Sequence, residues 1–402
     1  MDEVGLVGVD TVSLVALILK SNLLGAVKAP IAQHDSILTG QLYLKELLET
    51  RSTARFHNVT RMDRDTFDEL LLLLESRGGF KNPKYISAED KLLIFILVLV
   101  GHTNRSVNER WQHSGCTISF VVHEVATVIK MCKQYLIVPP AVLDPIPFKI
   151  SSSRKFSPYF DNCIGALDGT HIHAVVPPDD RKPFRNRKNT MSQNVLAVAN
   201  FDMLFSYVLA GWEGSAHDSR VLDDARMKGL HILPGRFYLG DAGYALSWKV
   251  LTPYRGVRYH FKEWAQGNRR PQNAKELYNL RHSALRNVIE RIFGVVEKRF
   301  PILVEMSPYA FPFQCDLVLT AMVLHNFIRS HQLNEDEFDV PDVENNNADN
   351  DDDKIDEVAE VLGNGNELKQ WRDGISTAMW NDYVAYIQEN GYGSEGEDDD
   401  EE

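Results

Sequence analysis

The stretch Ile164-Gly165-Ala166-Leu167-Asp168-Gly169-Thr170 decides how this chain is read. An apolar run closes on an aspartate followed by glycine, the pattern of a strand whose end leaves a carboxylate at the rim of a sheet. A second run of the same form, Phe237-Tyr238-Leu239-Gly240-Asp241-Ala242-Gly243-Tyr244, closes on Asp241. A third acid, Glu290, lies inside a helical stretch from His282 to Phe300. A helix packed across the rim brings that carboxylate to the other two. Such a cluster can hold two Mg²⁺ ions roughly 3.5–4 Å apart, which activate a water and steady the leaving oxygen during attack on a phosphodiester.

Charge is unevenly distributed. The formal net charge of the 402 residues is -13, yet residues 335–402 hold 24 acids and 3 bases, leaving 40 bases and 32 acids in residues 1–334. A mildly basic body suits a polyanionic partner, and an acidic tail either shields that surface or is simply solvated. The four cysteines, Cys116, Cys132, Cys163 and Cys315, form no C-x-x-C pair, which argues against a zinc ribbon or a disulfide framework. The uncharged run from Thr11 to Leu19 is too short to span a bilayer, and no membrane partner is expected.

The pattern divides the chain into a weakly informative segment (1–40), a helical unit (41–138), a Pro-rich linker (139–154), a mixed unit (155–333) and an acidic tail (334–402) read as disordered. Within the tail, Trp371, Ile375, Met379, Tyr383 and Ile387 recur every four residues, predicting one amphipathic helix over 368–389 that needs a surface to cover. In the helical unit, Ser106–Gln112, a Ser114-Gly115 turn and a helix opening at Thr117 fit either a helix-turn-helix or an ordinary helical hairpin. Few basic residues on the second helix weaken a base-reading role. In the mixed unit, strands are expected at Ile164–Leu167, His171–Val176, Val195–Asn200, Phe205–Ala210 and Arg236–Gly240. Helices are expected at Ser219–Met227, Glu276–Phe300 and Cys315–His331. Strands followed by helices make an α/β (α+β) layer with a mixed sheet.

Each acid has a plainer reading. Asp168 and Asp241 are turn-capping residues beside glycines, and Glu290 is the i+4 ion-pair partner of Arg286. His282, Arg286 and Glu290 share one broad helix face, so Arg286 also suits gripping a phosphate. His171 and His173 share a strand face, a pair that is more often structural than metal-binding. Arg181, Lys182, Arg185, Arg187 and Lys188 form a basic cluster suited either to DNA phosphates or to nuclear targeting.

Taken in order, Gly165-Ala166-Leu167-Asp168-Gly169-Thr170-His171, Ser192-Gln193-Asn194-Val195, Gly211-Trp212-Glu213-Gly214-Ser215-Ala216-His217-Asp218-Ser219-Arg220, Gly240-Asp241-Ala242-Gly243-Tyr244, the His282 to Gly294 block and Leu324-His325-Asn326 resemble the PIF/Harbinger transposase family. The resemblance covers roughly residues 55–330. It implies an RNase H-like catalytic core preceded by an all-α helix-turn-helix domain, with Asp168, Asp241 and Glu290 as the catalytic, metal-holding triad. Asp168 is then expected to bridge the two ions. The resemblance further implies Mg²⁺ or Mn²⁺, Asp218, His282 and Arg286 behind the triad, action on DNA in the nucleus, a Myb-like DNA-binding partner and a homo-oligomer. Two functions follow as expectations: a metal-dependent DNA endonuclease or transposase, and a domesticated DNA- or chromatin-associated protein that keeps the fold without cleaving.

Overall fold

The computed structural model describes residues 34–80, 86–258, 270–332 and 365–390. Most of the N-terminal segment, residues 259–269 of the basic loop and the acidic stretches on both sides of residues 365–390 lie outside the described residues, and with them the expectation of disorder.

Among the described residues, six helices open the fold: α1 (Gly40–Glu49), α2 (Thr53–Thr60), α3 (Arg64–Arg77), α4 (Ala88–Leu99), α5 (Asn104–Trp111) and α6 (Gly115–Met131). Five of them start on a hydroxyl N-cap that accepts an amide N–H of the first turn, satisfying one otherwise orphaned donor in each. Ser87 caps α4, whose residues are buried from Ala88 and Asp90 to Leu99, as a core helix requires. The second helix of the expected helix-turn-helix starts at Gly115 rather than Thr117, because Ser114 is the cap and Thr117 supplies the bonded N–H. Two one-turn helices, α7 (Lys133–Leu136) and α8 (Phe148–Ser151), lead to the sheet.

The sheet holds β1 (Cys163–His173), β2 (Ser192–Ala199), β3 (Phe205–Glu213), β4 (Phe237–Leu239) and β5 (Val250–Leu251). Its order is β3-β2-β1-β4-β5, with the first three antiparallel and β4 and β5 parallel to β1. That mixed sheet, preceded by helices, is the RNase H-like arrangement the sequence implied. One-turn α9 (Arg181–Phe184) sits in the β1–β2 connection, and α10 (Asp218–Met227) follows β3. Ile164, Leu167, Leu196 and Val198 bury one face of the sheet with Val221, Leu222 and Ala225 of α10. The other face packs under α11 (Ala274–Arg299) and α12 (Phe311–His331).

The two short strands read at Ile164–Leu167 and His171–Val176 are one continuous strand, so Asp168 lies mid-strand and not at a bend. Asp168, Gly169 and Thr170 pair in unbroken register with Ala197, Leu196 and Val195. Gly165 is the irregular point: its φ is +146°, and a β-carbon there would lie 2.0 Å from the Ala199 carbonyl oxygen. Only glycine allows that approach. The irregularity places both Ile164 and Leu167 in the cluster under α10 and leaves Asp168 on the α11 face.

Helix α12 is long and apolar enough to cross a membrane by length and composition, but most of it is buried in the body, as in a core helix. His325 and Asn326 explain its fixed position. Asn326 accepts the Phe205 N–H at 2.8 Å and donates to the carbonyls of Phe205 and Leu136, joining β3 to the helical region. His325 Nε2 lies 2.9 Å from the Met203 carbonyl, and burial pushes the imidazole down to about 3. Lys130 of α6 pairs with Asp316 of α12 at 2.7 Å. One buried cluster runs from Leu44 to Met379 and includes both the helices and the sheet.

The amphipathic helix of the tail is α13 (Gly365–Asn390), and the surface it covers is this body. Trp371 meets Phe237 and Trp248 edge-on or tilted at 5.3 and 5.2 Å. Arg372 lies over the Tyr254 ring, Tyr254 donates to Asp373 at 2.6 Å, and Tyr159 donates to Asp382 at 2.6 Å. Met379 is fully buried. Replacing Met379 with alanine is expected to lower the unfolding free energy by about 2–3 kcal/mol in urea denaturation. An unchanged midpoint would mean that α13 adds nothing to the fold.

Candidate active site

Three elements converge where β1 passes the end of β4. Mid-strand in β1, Asp168 points toward α11 and accepts the Gly169 N–H at 2.8 Å on Oδ1. Asp241 follows β4 after Gly240 and accepts the Gly243 N–H at 2.9 Å. Glu290 lies one turn beyond Arg286 on α11, a helix fixed by Leu285, Ile289, Ile292 and Val296 in the core. The plainer readings of Asp241 and Glu290 are therefore realised, as a turn cap and an i+4 partner, whereas Asp168 accepts its neighbour's N–H within a strand and caps no turn.

Two of the acids also meet on one cation. The Arg286 guanidinium donates to Asp168 Oδ2 at 2.8 Å and to Glu290 Oε1, with the arginine side chain 9% exposed. Burial raises Asp168 well above the usual carboxylate range; Arg286 opposes this, while Asp241, Glu290 and Asp218 reinforce it. Asp241 is raised by burial, opposed by Arg286, and raised further by Asp218 and Glu290. Four carboxylates and one guanidinium thus share one electrostatic site, with a formal excess of negative charge. As they stand, no three His, Cys, Asp or Glu side chains among the described residues form a ready metal-binding group, and Arg286 is placed among the carboxylates instead. The donor set itself, all carboxylate oxygen and crowded by like charge, fits a hard divalent cation such as Mg²⁺ or Mn²⁺.

The residues behind the triad divide. Asp218 opens α10, and its Oδ1 accepts from Asn194 Nδ2 at 3.0 Å. A β-carbon on Gly169 would lie 2.7 Å from that same oxygen, so the glycine lets Asp218 approach β1. Arg286 touches the acids directly. His282, fully buried, is hydrogen-bonded through Nε2 to the Leu251 carbonyl at 3.0 Å, and burial pushes it down to about 3. It anchors α11 to β5 as a neutral group. His171 Nδ1 lies 3.2 Å from Ser192 Oγ, and His173 Nδ1 accepts the Met306 N–H, both structural uses.

Sequence reasoning missed Tyr244. Buried beside the turn that carries Asp241, its phenol is raised far above its ordinary pKa by burial and then by Asp218, Asp168 and Asp241. Its place at the end of the Gly-Asp-Ala-Gly-Tyr block was the available signal. Arg181, Lys182, Arg185, Arg187 and Lys188 are all exposed on α9 and the loop after it. The Ser215 N–H donates to the Pro183 carbonyl at 3.0 Å, which ties this basic segment to the turn leading into Asp218.

Residues 167–326, which include all three acids, match the family profile described as DDE superfamily endonuclease. Residues 35–131 match a domain of unknown function (DUF8040). The chain is similar to Protein ALP1-like of Arabidopsis thaliana, 26% identical over 268 residues that cover 60% of this chain and 64% of that protein. It is also similar to HARBI1, provisionally named as a nuclease, of Bos taurus and Homo sapiens. The identities are 28% and 27% over 181 residues, covering 42% of this chain and 47% of each relative. The chain therefore spans less than two thirds of the length of these curated relatives. No solved structure matches it.

The raised Asp241 pKa has a stability consequence. The folded protein holds that proton more tightly than the unfolded chain, so stability falls as pH rises from the ordinary 3.8 through the raised value. Asp241→Asn keeps the Oδ1 acceptor for Gly243. It is expected to raise the urea midpoint at about pH 7.5, with the gain shrinking toward about pH 4. A midpoint lowered at neutral pH would contradict this charge balance.

Proposed function

We propose that this chain, which carries a DDE superfamily endonuclease domain over residues 167–326, is a metal-dependent nuclease that cuts DNA phosphodiester bonds with Asp168, Asp241 and Glu290. The observation that carries the reading is that Asp168 of β1 and Glu290 of α11 meet on one buried guanidinium, whose charge also acts on Asp241 in the turn after β4. A DNA-binding module gains nothing from carboxylates gathered near phosphates, which would repel them.

Asp168, Asp241 and Glu290 would hold Mg²⁺ or Mn²⁺, which when bound supplies Lewis-acid polarisation of the phosphodiester and stabilises charge on the attacking and leaving oxygens. The chain's own groups do the rest. Arg286, released from Asp168 and Glu290, remains on the same helix face and donates to a phosphate oxygen. The buried sheet faces on either side keep bulk water from the carboxylates. Arg181, Lys182, Arg185, Arg187 and Lys188 hold backbone phosphates along the approach. Action in the nucleus, a helix-turn-helix role for α5 and α6, a Myb-like partner and a homo-oligomer belong to the same reading.

The second reading, a DNA- or chromatin-associated protein that no longer cleaves, is favoured by one feature: Arg286 already neutralises Asp168 and Glu290. Supercoiled DNA separates the two. Wild type with Mg²⁺ or Mn²⁺ is expected to nick it, whereas Asp168→Asn and Glu290→Gln lose at least about 100-fold in rate, as when an ion ligand is lost. Equal survival of the DNA with wild type and Asp168→Asn would leave the non-cleaving reading standing.

DNA affinity is expected to fall steeply with salt. Replacing Arg185 and Arg187 with alanine should lower the slope of log affinity against log salt by about 1–2. A slope identical to wild type would remove these residues from the DNA surface.

A further inference from the structure

Tyr244 is 1% exposed, packed with Leu167, Leu196, Val221 and Leu222 between the sheet and α10. Its hydroxyl nevertheless has no hydrogen-bond partner among the described residues. A buried polar atom left unpaired is costly and calls for an explanation. Asp218, Asp168 and Asp241 are the charged groups that act most strongly on the phenol, Asp218 first. Its ring packs against the helix that Asp218 opens and beside Gly240, which precedes Asp241.

A second unpaired atom belongs to the same place. Asn194 is 1% exposed and its Oδ1 has no partner among the described residues, although its Nδ2 donates to Asp218 Oδ1 at 3.0 Å and to the Ala216 carbonyl at 3.2 Å. The position a Gly169 β-carbon would take lies 2.7 Å from Asp218 Oδ1 and 3.1 Å from Asn194 Oδ1. Asp218 is thus approached by β2 through Asn194 and by β1 through the bare backbone of Gly169, while Tyr244 packs on Val221 and Leu222 of the helix that Asp218 opens. Arg286 answers the charge of Asp168 and Glu290. The cluster accordingly keeps a buried donor in reserve next to its fourth carboxylate.

We infer that Tyr244 is a positioning residue for this cluster, its hydroxyl being the donor that fixes Asp218 when a divalent cation takes the place of the Arg286 guanidinium. The inference rests on the cation-holding reading of Asp168, Asp241 and Glu290 given above. It assigns Tyr244 no contact with substrate. Its task is to keep Asp218 from swinging as charge in the site is rearranged, so that the fourth carboxylate adds its field to the ion. Outer groups of this kind set ligand orientation and metal affinity.

The test uses the full chain and Mn²⁺ alone, with free Mn²⁺ followed by electron paramagnetic resonance. Tyr244→Phe removes one oxygen from a buried site and should leave the metal-free urea midpoint unchanged or raised. Its Mn²⁺ affinity should fall about tenfold. Asp218→Asn should show a similar loss, and the double variant should bind no more weakly than the weaker single, because both changes break one contact. Wild-type Mn²⁺ affinity in Tyr244→Phe, or fully additive losses in the double variant, would overturn the Tyr244 inference and leave the nuclease reading intact. No Mn²⁺ binding by the wild type would overturn both. Should Tyr244→Phe fail to fold, wild-type affinity in Asp218→Asn overturns the inference by itself.

Discussion

Like charges held close together in a poorly solvated place repel, and the rest of this fold is organised around tolerating that repulsion. Asp168, Asp241, Glu290 and Asp218 come from a strand, a turn and two helices, and no short segment could assemble them. Arg286 makes the assembly stable by donating to Asp168 and Glu290 from a position one turn before the latter. A helix that carries both a carboxylate and the cation that neutralises it must be held firmly in rotation. The apolar stripe of Leu285, Ile289, Ile292 and Val296 does so, and His282 adds a fixed bond to β5.

The supports extend well beyond the site. Asn326 spends its amide on both sides of Phe205 and on Leu136, so the strand at one edge of the sheet, the core helix α12 and the helical region are joined by one side chain. The Leu324-His325-Asn326 block, which contributes nothing chemical, thus sets the position of β3 relative to the helices. Glycines act at two points of β1. Gly165 accommodates the close approach of Ala199 and turns Asp168 to the α11 face, and Gly169 leaves the room that Asp218 occupies. Both substitute absence of a side chain for what would otherwise be a clash.

Much of this was legible from residues. Asp168 and Asp241 stood out because apolar runs ended on them, Glu290 because it shared a helix face with His282 and Arg286, and the order of the surrounding blocks carried the family resemblance and the mixed sheet with it. What failed did so for tertiary reasons. Gly169-Thr170 read as a bend because glycine breaks strands locally, whereas pairing to Leu196 and Val195 holds it straight. The register of Trp371 was visible, but not that Phe237 and Trp248 would receive it, since those residues lie more than a hundred positions away. His282 looked like a polar neighbour of the acids until burial and the Leu251 carbonyl gave it another task. The Tyr244 hydroxyl, unpartnered among the described residues, has no sequence signature beyond its place in a motif, because its surroundings are set by tertiary packing.

The docking of α13 has a topological consequence. With Gly365–Asn390 seated against the body and α12 ending at His331, the chain between them is tethered at both ends. The α13 contact is therefore intramolecular, at an effective concentration set by the length of the connecting chain rather than by dilution. A single proteolytic cut within residues 333–364 would turn it into a bimolecular one. The helix would then leave on dilution, and whatever the tail contributes would depend on protein concentration.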